Sequence, residues 1–238
     1  MNFQKLGPLT GLIAPNLPAE RDDLTVILLH GYGAPGTDLV GLAAELDPPE
    51  GTRFVFLQAP LVLDAHAPPD YAPRAWWPLD MMELQMLRMT RQYDKLTARQ
   101  PVGLGAARVA LSQAIQALER DHGLRRERLV LGGFSQGAML ATDFALRDAG
   151  ALAGLVVLSG SILAESEWRE ALPARTGLSV FQSHSPADQV LPFELATRLA
   201  EAFTAAGLRS EFVSFAGGHG IGPSVLAGLS RFLHSLSL

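Results

Sequence analysis

The 238-residue chain contains no cysteine. That absence removes disulfides, thiolate metal sites and a cysteine nucleophile together, leaving Ser, Thr, Lys or a carboxylate for covalent chemistry. Charge is sparse, at 18% of residues, and the balance of 19 basic against 24 acidic residues gives a net of −5. No broad positive field is available for a phosphate backbone, which argues against nucleic acid as a partner. The apolar run Ala149–Ala164 is interrupted by Ser159-Gly160-Ser161 and falls short of the roughly 18–20 residues that span a bilayer. It reads as a buried strand with its turn, and no stable membrane insertion is expected. Only Lys5 precedes the first apolar stretch, which Gly7, Pro8, Gly11, Pro15 and Pro18 break up, and no A-x-A-like cleavage site follows. This is not the pattern of a secretory leader, so a cytoplasmic location is expected. Repeats, low-complexity tracts and a Pro/Gly/Ser linker are also missing, and the expectation is one domain over residues 1–238.

What is present is 48% hydrophobic residues arranged as strand-like runs, most of them followed by helix-like patterns. This alternation predicts an α/β fold, a mostly parallel sheet with helices on both faces. The strand candidates are Leu24–His30, Arg53–Leu57, Arg128–Gly132, Leu152–Ser159, Leu178–Gln182 and Ser210–Phe215. Helical patterns cover Gly103–Asp121, Gln136–Arg147, Pro192–Ala206 and Pro223–Leu236, the last two opening on Pro at the first helical position. Gly123 and Gly207 stand where C-terminal caps belong. Residues 59–100, rich in Pro, aromatics and Met, break the rhythm and read as an insertion over the sheet.

Gly133-Phe-Ser135-Gln-Gly137 fits G-x-S-x-G between a strand-like run and an amphipathic helix. That setting turns the chain sharply and lifts a Ser hydroxyl out of the sheet. A hydroxyl near neutral pH needs an imidazole to take its proton and a carboxylate to hold that imidazole. In this fold the chain order is Ser, acid, His. His219, in the Gly-rich segment after the last strand, is the candidate base; His234 rides the last turn of the terminal helix, where a cation favours the dipole. Asp188, between a strand and a helix, is the candidate acid, whereas Asp143 and Asp148 follow Ser135 on or at the end of its helix and point away from its turn. A tetrahedral intermediate also requires two N–H donors. Gln136 supplies one, and the backbone of Tyr32, in His30-Gly-Tyr-Gly-Ala-Pro-Gly36, is expected to supply the other. A phosphate-cradling role for this loop lacks the G-K-[ST] or G-x-G-x-x-G it would need.

With these segments in hand, the chain from about Leu24 to Leu236 resembles the carboxylesterase/phospholipase family of α/β hydrolases, which includes bacterial carboxylesterases and acyl-protein thioesterases. His30-Gly-Tyr-Gly resembles its H-G-x-G segment, Gly133–Gly137 its G-F-S-Q-G elbow, His184–Pro192 its H-G-x-x-D-x-V-[VI]-P segment, and Gly218-His219 its G-H. The resemblance implies the α/β-hydrolase fold, a Ser135, Asp188, His219 triad, an oxyanion hole from the Tyr32 and Gln136 amides, and a homodimer. Three departures stand out: Ala34-Pro35 for Asp-Thr, Ser185 for Gly, and Trp76-Trp-Pro-Leu-Asp80 for W-[FY]-D.

Met81, Met82, Met86 and Met89 fall near Trp76, Trp77 and Tyr71, and Met-rich surfaces adapt to flexible chains. Trp76, Trp77 and Met81 are accordingly the expected substrate-binding residues. A competing expectation is that Met82, Met86 and Met89, at helical spacing, pack onto the core. The function expected is a serine hydrolase, a carboxylesterase that cleaves carboxylic esters of short to medium acyl chain through an acyl-enzyme, with a small-molecule ester or lipid as substrate and no metal or organic cofactor. Lysophospholipase, acyl-protein thioesterase and acyltransferase are the near alternatives, and a non-catalytic binding protein of the same fold is the alternative of another class.

Overall fold

The computed structural model describes residues 2–14 and 24–236. Its sheet contains β1 (Gln4–Leu6), β2 (Leu9–Ala14), β3 (Leu24–Leu29), β4 (Thr52–Gln58), β7 (Leu129–Phe134), β8 (Gly154–Leu158), β9 (Ser179–His184) and β10 (Arg209–Ser214). The order is β1-β2-β4-β3-β7-β8-β9-β10, parallel from β4 to β10 and antiparallel at the β1–β2 and β2–β4 pairings. A strand covered on both faces has no polar side to offer. All six residues of β3 and all seven of β4 are buried.

The period of two divides those apolar residues between two cores. Ile27, Leu29, Val55, Leu57 and Leu131 face α4 (Leu104–His122), α5 (Gln136–Arg147) and α7 (Phe193–Ala205). Val26, Leu28, Phe54, Phe56 and Val130 face α1 (Leu42–Glu45) and α8 (Pro223–Leu236). The strand and helix runs expected from the sequence agree with these elements within two residues at each end. Gly123 and Gly207 follow α4 and α7 at φ +66° and +77°. Pro223 opens α8, whereas Pro192 sits one residue before α7.

Two expectations change. The Gly7-Pro8 pair that reads as a breaker is the turn of a hairpin, β1–β2, that pairs onto β4 at the sheet edge; Pro15 and Pro18 lie outside the described residues. Residues 59–100 carry a short hairpin, β5 (Leu61–Val62) with β6 (Arg74–Ala75), then α2 (Met81–Met89) and α3 (Tyr93–Thr97). Asp80 caps α2 through Oδ1, which accepts the Met82 and Glu83 N–H groups at 3.0 and 2.9 Å. At 100° per residue, Leu84 and Leu87 share one face of α2 while Met82, Met86 and Met89 share the opposite one. The helix turns its leucines inward, so those three methionines do not pack on the core and are 83%, 56% and 74% exposed. α6 (Glu165–Ala171), also not anticipated, closes the helical layer beside α5.

Candidate active site

Ser135 stands between β7 and α5 at φ +54°, a left-handed value that costs a non-glycine residue energy and is retained where its surroundings over-determine it. Those surroundings are tight. A Cβ on Gly133 would lie 2.5 Å from the Leu29 carbonyl oxygen, and one on Gly137 would overlap it. Only glycine at both positions lets the turn press against the end of β3. The Ser135 N–H is tied to the Leu158 carbonyl at 2.9 Å.

His219 Nε2 lies 2.9 Å from Ser135 Oγ, and His219 Nδ1 lies 2.7 Å from Asp188 Oδ2. An ionised carboxylate only accepts, so Nδ1 carries the proton and Nε2 is left to accept from the hydroxyl. Asp188 Oδ1 accepts the Val190 and Leu191 N–H groups at 2.7 and 2.9 Å. Burial pushes the Asp188 carboxyl up, but the His219 hydrogen bond, the two backbone bonds and the His219 charge outweigh it and hold the group below the usual carboxylate range.

The sequence reading missed a second imidazole on the same oxygen. His184 Nε2 lies 3.2 Å from Asp188 Oδ2 and 3.1 Å from the Leu191 carbonyl, so both neighbours are acceptors and Nε2 carries its proton. Burial lowers the pKa of His184. The loop bearing His219 is fastened on both sides by serines. Ser159 Oγ donates to the Gly220 carbonyl at 2.9 Å, and Ser185 Oγ donates to the Gly217 carbonyl while accepting the Ala187 N–H at 3.1 Å. The Ser185 departure thus adds an anchor that glycine lacks. Asp143 and Asp148 are committed elsewhere: Asp143 is buried against Arg108, Arg147 and Trp168, and Asp148 pairs with Arg126. His234 is half exposed and lies 3.9 Å from Asp47.

Ser135 and His219 open into a cavity of about 780 Å³, within the usual range of small-molecule sites. Tyr32 and Gln136 line it too. Among the described residues no backbone carbonyl takes the Tyr32 N–H, and Gln136 is the first residue of α5, where the N–H has no intrahelical acceptor. Both amides thus belong to residues that line the cavity with Ser135. Leu84, Leu87, Leu96, Met139, Ile162 and Leu195 make much of the wall apolar, and Asp38, Asp80, Glu83, Lys95 and Arg99 add charge. Burial raises the pKa of Asp38.

Of the residues expected to bind substrate, Trp77 and Met81 line this cavity. Trp76 does not. Both indoles are buried, and that of Trp76 donates its N–H to the His30 carbonyl. Among the described residues no group of three His, Asp or Glu side chains is placed to hold a metal ion, and no helix is long and apolar enough to cross a membrane.

Residues 14–237 match the phospholipase/carboxylesterase family. Acyl-protein thioesterase 1 of Neurospora crassa is 25% identical over 223 residues, covering 90% of this chain and 86% of the relative. Acyl-protein thioesterase 1 of Eremothecium gossypii is 29% identical over 218 residues, covering 87% and 85%. Among solved structures, esterase PE8 superposes with a TM-score of 0.76 at 26% identity, over 96% of this chain and 99% of that one. A carboxylesterase from Mesorhizobium loti shares the fold with a TM-score of 0.72 at 18% identity, over 98% and 99%. With the sheet order, the elbow and the match over residues 14–237 in agreement, the chain belongs to the phospholipase/carboxylesterase family of α/β hydrolases.

Proposed function

We propose that this hydrolase cleaves carboxylic esters through an acyl-enzyme, with Ser135 as nucleophile, His219 as general base and then acid, and Asp188 as the group that orients His219. The observation that carries the reading is the Ser135–His219–Asp188 hydrogen-bonded chain, at 2.9 and 2.7 Å, at the wall of a largely apolar cavity. The acyl chain lies along the leucine face of α2 with its carbonyl against Ser135. Ser135 Oγ attacks that carbonyl as its proton passes to His219 Nε2, and the Tyr32 and Gln136 N–H groups stabilise the oxyanion. His219 then protonates the leaving alkoxide, and the same imidazole activates the water that releases the acid. These steps call on no metal or organic cofactor.

Thioester cleavage runs through the same acyl-enzyme with a thiolate leaving group. The names of the thioesterase relatives favour it as the second reading. The test is steady-state hydrolysis of p-nitrophenyl esters and acyl thioesters, over acyl chains from two to sixteen carbons, on wild type and Ser135→Ala. A chain-length optimum that disappears in the variant is expected, and turnover that persists in it refutes the nucleophile.

A further inference from the structure

Trp76 lies outside the cavity, and its contacts join the two sides of the oxyanion site. The Trp76 backbone N–H donates to Gln136 Oε1 at 2.9 Å, and Gln136 Nε2 donates to the Trp77 carbonyl at 2.9 Å. The Trp76 indole N–H donates to the His30 carbonyl at 2.9 Å, with its ring 5.5 Å from the His30 imidazole. Trp76, Trp77, Gln136 and His30 are all buried. The imidazole is itself fixed. Its Nε2 accepts the Ala59 N–H at 3.1 Å, which leaves Nδ1–H to donate to the Gly31 carbonyl at 2.8 Å, and burial pushes its pKa down to about 4, so the ring stays neutral.

We infer that Trp76 is a positioning residue that sets the distance between the Tyr32 and Gln136 amides, with the Gln136 side chain and His30 as its partners. The inference rests on the oxyanion role proposed above for those two amides. Through its indole, Trp76 holds the His30 carbonyl, which belongs to the peptide that leads into Gly31 and Tyr32. Through its backbone it holds the side chain of the residue that carries the other donor. The segment that walls the cavity with Trp77, Met81 and Leu84 is thereby tied to the site where charge develops. A donor displaced by a fraction of an ångström loses much of its value in the transition state, and removal of one outright costs about a hundred- to a thousandfold in kcat. Ground-state binding is unaffected, because Trp76 does not line the cavity.

Trp76→Phe keeps the backbone N–H and most of the ring but deletes the indole donor. Gln136→Met keeps the backbone amide and deletes both side-chain bonds. Each is expected to lower kcat about ten- to a hundredfold, and for Trp76→Phe, which leaves the cavity lining unchanged, KM stays within about twofold. Affinity for a trifluoromethyl ketone, whose carbonyl Ser135 attacks to give a tetrahedral adduct with its oxygen in the oxyanion site, falls in the same ratio. Inhibition by the alcohol product, which has no oxygen in the oxyanion site, does not change. The double variant loses little more than the worse single one, because both substitutions break one network. Thermal melting establishes folding, and if one variant melts below the assay temperature the other carries the test. A folded variant with wild-type kcat, a loss confined to KM, or additive losses in the double variant would each overturn the inference. Turnover by Ser135→Ala would instead overturn the underlying reaction, so the two failures are distinguishable.

Discussion

Replacing Asp188 by Asn probes the base more sharply than deleting the side chain, because the surroundings dictate which way the amide points. One carboxylate oxygen accepts two backbone N–H groups, from Val190 and Leu191, and cannot be exchanged for an NH₂ without setting donor against donor. The amide oxygen therefore keeps that place, and the NH₂ takes the position of Oδ2, facing His219 Nδ1, while the His184 Nε2–H on that side keeps the Leu191 carbonyl as its acceptor. A donor there turns Nδ1 into the acceptor and moves the ring proton to Nε2, toward Ser135. The hydroxyl then has no base. The expected loss in kcat is about 10⁴-fold, or about 5.5 kcal/mol of transition-state stabilisation. Parallel ester hydrolysis by wild type and Asp188→Asn measures it, with melting as a control. The substitution also flattens the acid limb of stability. The wild-type carboxyl titrates lower folded than unfolded, so its contribution is complete above the ordinary value of 3.8 and is lost as pH falls through the folded value. Wild type therefore loses more stability than the variant on acidification below about pH 4. A variant that retains kcat within tenfold refutes the tautomer argument and the choice of acid.

The serine anchors of the base loop carry a smaller effect. Ser185→Ala breaks the bond to the Gly217 carbonyl, and because Gly217 and Ala187 are exposed, water replaces the lost partner. The expected cost is about 1 kcal/mol of stability or less, with a several-fold fall in kcat as His219 drifts; unchanged kcat would show that the Ser159 anchor alone suffices. At α2, replacing Met82, Met86 and Met89 with Ser is expected to change stability by no more than about 0.5 kcal/mol per site. A calorimetric loss of several kcal/mol would mean that this face is covered in solution.

The motifs of the candidate site were legible along the chain because each is encoded locally. An elbow needs glycine on either side of a serine, a parallel strand buried on both faces needs an unbroken apolar run, and a helix that follows can be read from its period. These requirements fall within a few residues of one another, and the structure brings Ser135, Asp188 and His219 together in the order the motifs imply. The N-terminal hairpin was not legible, since its value lies in pairing with β4 some forty residues away rather than in its own pattern.

Which side of a locally plausible element meets solvent was likewise decided by distant neighbours. The methionines of α2 have helical spacing, but only the seating of Leu84 and Leu87 over the cavity sends them outward. Trp76 and Trp77 are adjacent and chemically alike. Trp77 lines the cavity and Trp76 does not, because a hydrogen bond across 46 residues ties the Trp76 indole to the His30 carbonyl and sets its ring beside the His30 imidazole. The second imidazole on Asp188 depends in the same way on where β9 and the following turn bring the chain back. Residue types and their local spacing specify what reaction is available; the facing, burial and hydrogen-bond partners of each side chain are long-range quantities, and they appear only when the sheet closes.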